Sequence, residues 1–191
     1  YRHAGMIEFA LAEDAIVCEL IADGMHVPAT LMKLLFNAKG FDRVCLITDA
    51  TAGAGLKPGT TFKLLSITAR VTSETAVMED GSGLAGSTLT MIEAVRRVVQ
   101  VCGVPRADAV RMGSLVPSRA RGRESGVGSV EVGKRGGLWW FDDVCRVRGV
   151  WLGGEGGCVG CGFLEGIIKM RYILWFALDR MPAYLLSIVI T

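Results

Sequence analysis

Two nearly uninterrupted apolar runs, IVCELIA at residues 16–22 and VCLIT at 44–48, restrict this chain more than anything else in it. A strand with one solvated face alternates polar and apolar residues; a run without alternation belongs to a strand covered on both faces. Between the runs, Pro28 opens and Gly40 closes a stretch that reads as a helix through Lys39, with Leu31, Leu34 and Leu35 as its apolar stripe. Strand, helix and strand of this kind make the βαβ unit of a parallel sheet. In α/β barrels the chemistry collects at the carboxyl ends of the strands. Asp23 and His26 after the first run, and Thr48 and Asp49 after the second, are therefore candidates on position alone.

The rest of the chain is patterned less strongly. Residues 6–13 predict a short helix with Ile7, Ala10 and Leu11 on one face. Short alternating β segments fill 60–78, closed by the turn Gly81-Ser82-Gly83. Thr88 or Thr90 then caps a helix through Cys102, with Ile92, Val95, Val98 and Val99 inward and Arg96 and Arg97 outward. A further helix is expected over 106–115, ending before Pro117. Beyond it, 127–132, 138–141 and 147–152 read as strands, with Gly133-Lys134 as a turn. From residue 156 the pattern stops, and 156–191 is set apart as an unmatched tail.

Charge and cysteine usage narrow the function classes. With 21 basic and 19 acidic residues the net charge is +2, without the concentrated basic face that nucleic acid demands. Arg119, Arg121 and Arg123 cluster, but Glu124 follows and no aromatic interleaves, so a solvated helix end is expected. Six cysteines in 191 residues are too sparse for a disulfide scaffold; most sit in apolar runs as small hydrophobes, which predicts a reducing cytoplasm. Cys158 and Cys161 form one CxxC pair, and a closed zinc site wants four ligands, so the pair reads as incidental. No apolar leader follows Tyr1, and the chain opens abruptly without Met, as if mid-protein. The apolar stretch 163–191 is broken by Glu165, Lys169, Arg171, Asp179 and Arg180, which speaks against a membrane span.

Three segments concentrate the small and polar residues. IADGMH at 21–26 places His26 just past a buried strand; such a histidine commonly serves structure, but beside Asp23 and Gly24 it also suits a site. Asp49 could cap a turn, or could act as a general acid/base in a recessed pocket. LAGSTLTM at 84–91 opens a helix with small residues, which serve packing and capping or present backbone N–H groups to a ligand.

In this order and spacing, Arg2, 21–26, 48–50 (TDA) and 84–91 resemble the N-acetylglucosamine-6-phosphate deacetylase family of the amidohydrolase superfamily, over roughly residues 2–155. The resemblance implies an α/β fold: the C-terminal part of a (β/α)8 metal-dependent amidohydrolase barrel plus part of a small β-sandwich domain. Residues 1–58 would hold the last βα units, 59–80 a β segment of the small domain, 81–122 helices returning to the barrel, and 123–155 the closing β segment. It implies Asp49 as the catalytic acid/base, with substrate contacts from Arg2 (to the phosphate), Asp23, Gly24, Met25, His26, Leu84, Ala85 and Gly86. A homodimer is implied, with that arginine reaching a neighbouring site. So is a divalent metal, zinc or iron, whose glutamate and histidine ligands lie upstream of the matched region. No metal ligand is assigned here.

The activity implied is hydrolysis of the N-acetyl group of N-acetylglucosamine 6-phosphate to glucosamine 6-phosphate and acetate, by a protein longer than this chain. Two other readings stand beside it: an inactive truncated fragment with only a dimerisation role, and a different metal-dependent amidohydrolase. A small-molecule substrate, with neither nucleic acid nor membrane as partner, is common to both enzyme readings.

Overall fold

Short local rules account for most elements of the computed structural model, which describes residues 3, 5–152, 155–158 and 173–175. Helix α1 (Met6–Ala12) is only two turns long, and Glu8 Oε2 accepts a hydrogen bond from the Gly5 N–H at its entrance. Strands β1 (Cys18–Ile21) and β2 (Val44–Ile47) pair in parallel, Cys18 opposite Val44 through Ile21 opposite Ile47. Helix α2 (Ala29–Lys39) crosses over between them, entered through Pro28 and stopped by Gly40 at φ +66°. The predicted βαβ unit is present.

The apolar stripe of α2 differs from the expectation. Met32, Leu35 and Phe36 are buried, whereas Leu31 and Leu34 are 48% and 53% exposed. Met32, Leu35 and Phe36 follow i, i+3, i+4 spacing and face β1, β2 and α3; Leu31 and Leu34 form a second apolar face. A helix apolar on both sides has two partners in prospect, and the sequence alone does not rank them.

A three-stranded antiparallel meander follows, β3 (Thr61–Leu64), β4 (Ile67–Val71) and β5 (Ala76–Met78), with its own small core of Ala69, Ala76 and Ala85. Helix α3 (Met91–Cys102) is capped by Thr90, whose hydroxyl accepts from Glu93 N–H, and ends on Gly103 in the left-handed region. It buries Ala94, Val95 and Val98 in the main core with Cys18, Leu20, Val44 and Leu46.

The single helix expected over 106–115 is instead two, α4 (Arg106–Met112) and α5 (Leu115–Ala120). Pro117 does not end a helix; it is the third residue of α5, where a missing N–H costs nothing because the first turn has no intrahelical acceptors. The strand expected at 127–132 is absent: these residues are bends and irregular backbone leading into a turn, Val130 and Val132 are exposed, and Arg135 N–H closes back on the Gly126 carbonyl. Alternating valines mislead where glycines 126, 128 and 133 interrupt them. The Gly133-Lys134 turn is present, with Lys134 N–H bonded to Glu131 O.

Strands β6 (Gly137–Phe141) and β7 (Val147–Leu152) form a hairpin. Asp142 Oδ1 closes its turn by accepting from the N–H groups of Val144 and Arg146, and these bonds hold its carboxyl below the usual range. Two stretches of the tail widen this sheet: β8 (Glu155–Cys158) pairs with β7, and β9 (Ile173–Trp175) with β6. The rest of the tail, with Cys161 and most of 163–191, lies outside the described residues. Among the described residues no helix is long and apolar enough to cross a membrane.

Candidate functional site

The carboxyl ends of β1 and β2 lie side by side, because the parallel register runs out together at Ile21 and Ile47. Asp23 and Asp49 each stand two residues beyond those last paired positions, on adjacent strand ends. Two of the three candidate segments are thereby neighbours. The third is brought in by backbone bonds: Ser87 N–H donates to Asp49 O at 2.9 Å, and Thr51 N–H donates to Ser87 O at 3.0 Å. Ala50 and Ser87 thus form a parallel bridge that extends β2. On its other side the 84–87 segment leans on the meander, through Ala85 N–H to Ala76 O at 2.9 Å.

Ser87 fastens this junction. Fully buried, its hydroxyl donates to the Thr48 carbonyl and accepts from Leu89 N–H at 3.0 Å. Thr51 Oγ1 reaches the carbonyls of Ala85 and Ser87, both at 3.4 Å. Sequence reasoning singled out neither residue for the site. The only available signal was a hydroxyl among small residues, and its partner lies 39 positions away.

Gly86 has a stated reason to be glycine. Its φ is +65°, and a Cβ there would lie 2.5 Å from Thr51 Cγ2 and 3.0 Å from the Asp49 carbonyl. The same phantom carbon would be 3.3 Å from Asp49 Oδ2, so the carboxylate sits directly beside the bare Gly86 backbone. Asp49 itself adopts φ +48°, unusual for a side-chain-bearing residue, and is exposed at the strand end. Leu84 is half-buried and Ala85 buried.

At the end of β1 the turn is held by Asp23, only 4% exposed. Its Oδ1 accepts from the N–H groups of Met25 (2.9 Å) and His26 (3.0 Å), and Oδ2 lies 2.7 Å from His26 Nδ1. Gly24 takes φ +78°, and the Arg97 guanidinium of α3 rests where its Cβ would be. Met25 is exposed. Arg2 lies outside the described residues. His3 and His26 are the only two histidines, and among the described residues no three His, Cys, Asp or Glu side chains stand close enough to share an ion.

Known proteins bear on this arrangement. A model of the amidohydrolase family matches residues 2–155. A protein of Escherichia coli (strain K12), provisionally named an N-acetylgalactosamine-6-phosphate deacetylase, is 37% identical over 157 residues, covering 81% of this chain and 91% of that protein. The N-acetylglucosamine-6-phosphate deacetylase of Bacillus subtilis is 38% identical over 148 residues, which is 77% of this chain but 37% of that enzyme. The crystal structure of the Pasteurella multocida N-acetylglucosamine-6-phosphate deacetylase superposes with a TM-score of 0.76 at 34% identity, over 81% of this chain and 40% of that one. The chain therefore spans about two-fifths of these two enzymes and most of the shorter Escherichia coli protein.

Proposed function

This chain belongs to the amidohydrolase family, and on that premise we propose that it is the carboxyl-terminal part of a deacetylase acting on an N-acetylated amino-sugar 6-phosphate. The reaction is hydrolysis of the acetamide of N-acetylglucosamine 6-phosphate to glucosamine 6-phosphate and acetate. In it, Asp49 takes a proton from the attacking water and returns it to the departing nitrogen. His26 holds the sugar or the carbonyl oxygen, with Asp23, Gly24 and Met25 forming the turn around it. The backbone of Leu84, Ala85 and Gly86 lines the sugar, and Arg2 meets the phosphate as a planar two-point donor. Residues 1–58 supply the last βα units of the barrel, 59–80 and 123–155 the small β domain, and 81–122 the returning helices. The assembly is a homodimer in the cytoplasm. Amidohydrolases generally depend on a metal; zinc or iron is the ion here, held by residues outside this chain.

The observation that carries the proposal is Asp49: an exposed carboxylate at the carboxyl end of a buried parallel strand, with a bare glycine backbone pressed against it. The test supplies the missing portion by fusing the preceding segment of the Bacillus subtilis enzyme to this chain. Acetate release from the 6-phosphates of N-acetylglucosamine and N-acetylgalactosamine is then followed, which also decides between the two sugars. Asp49→Asn should lower turnover by about 10³-fold or more with substrate binding kept, within the 10²–10⁴-fold range typical of a general acid/base. Wild-type turnover in that variant removes Asp49 from the role.

A second reading rests on the short Escherichia coli relative, of which the chain covers 91%. In it, the chain acts by itself without catalysis, retaining only a dimerisation surface. Stoichiometric metal and deacetylase activity in the purified 191-residue chain would defeat it.

A further inference from the structure

We propose that Asp23 is a positioning residue that fixes which nitrogen of His26 meets the substrate, an inference that rests on the reading of His26 as a substrate contact. A carboxylate only accepts hydrogen bonds. Asp23 Oδ1 is occupied by two backbone N–H groups, and Oδ2 lies 2.7 Å from His26 Nδ1, so Nδ1 carries the hydrogen. Nε2 has no hydrogen-bond partner among the described residues. The two side chains are 7% and 3% exposed, which leaves the ring little room to turn over, and a flipped ring would set a carbon against the carboxylate. The turn that holds them is locked by Gly24 at φ +78° beneath the Arg97 guanidinium.

The consequence is specific. Nε2 is then the ring nitrogen left for the substrate, as an acceptor for a sugar hydroxyl when the ring is neutral and as a donor to a carbonyl oxygen when it is charged.

With two histidines in the chain, long-range proton–nitrogen spectra of the rings show two patterns, and His3→Gln assigns them. The neutral ring of His26 should be the Nδ1–H tautomer, as its 2.7 Å contact with the Asp23 carboxylate requires. Asp23→Asn keeps an oxygen for the two backbone N–H groups but turns an amide donor toward the ring, so His26 should switch to the Nε2–H tautomer while the circular dichroism is unchanged. An Nε2–H tautomer in the wild type, or the same tautomer in both proteins, overturns the proposal. If Asp23→Asn does not fold, the wild-type spectrum decides alone. An inactive fusion enzyme would sink the deacetylase reading and leave this tautomer result standing, so the two failures are distinguishable.

Discussion

At Gly86 two independent constraints coincide, a left-handed backbone and contact with Thr51 and Asp49. Gly86→Ala must either strain φ or push the Asp49 strand end away, and costs about 1–3 kcal/mol. Urea denaturation checks this; an unchanged midpoint would show that the junction yields freely. Cys45 makes a second residue-level case. Burial, with Glu19 and Cys18 nearby, pushes its thiol from 9.0 up to about 12. Because the folded value is the raised one, its stabilising effect is complete below about pH 9 and is lost as pH climbs towards 12. The stability gap between the wild type and Cys45→Ala should therefore narrow across that window. Chemical unfolding at pH 8, 10 and 11.5 measures it, and a constant gap contradicts the assignment.

Between elements, the contact least visible in the sequence is Lys39. It closes α2, yet its ammonium is buried and donates to the carbonyls of Ala10 (2.9 Å) and Glu13 (2.6 Å) at the end of α1. The last carbonyls of a helix lack intrahelical partners, and a cation there also complements the helix dipole. Lys39→Met leaves both acceptors short and should cost about 1–3 kcal/mol. Amide exchange within α1 should quicken by more than exchange in β2; equal effects in both would mean that α1 is not held by this lysine. The misread stripe of α2 and the misplaced end at Pro117 belong at this scale too. Periodicity shows that a face is apolar but not which neighbour takes it, and proline reports only a lost N–H, which the first turn of a helix never misses.

For the whole molecule, the parallel pair β1–β2 has no third strand on the outer edge of β1 among the described residues. Met6, Ile7 and Phe9 on α1 and Leu31 and Leu34 on α2 are exposed, and these two helices are in contact with each other. Open strand edges and exposed apolar side chains promote association. The purified chain should therefore form concentration-dependent oligomers in sedimentation experiments. Leu34→Glu should reduce them with little loss of stability, since Leu34 is already half in water. A wild-type chain that stays monomeric at high concentration contradicts this.

By itself the sequence determined the βαβ unit, the capped helix after Thr90 and the three segments with site character, because unbroken apolar runs, caps and glycines act locally. It also set Asp23 and Asp49 at strand ends, where they remain. Only tertiary structure decided that Ser87 bonds to Thr48, that Gly86 lies against Asp49, that Lys39 reaches α1, and that Asp23 holds the ring of His26 through Nδ1. The local motif put those last two near each other, but the choice of nitrogen depends on side-chain geometry. Contacts across 39 positions depend on register and chain direction in three dimensions, and no local propensity encodes them.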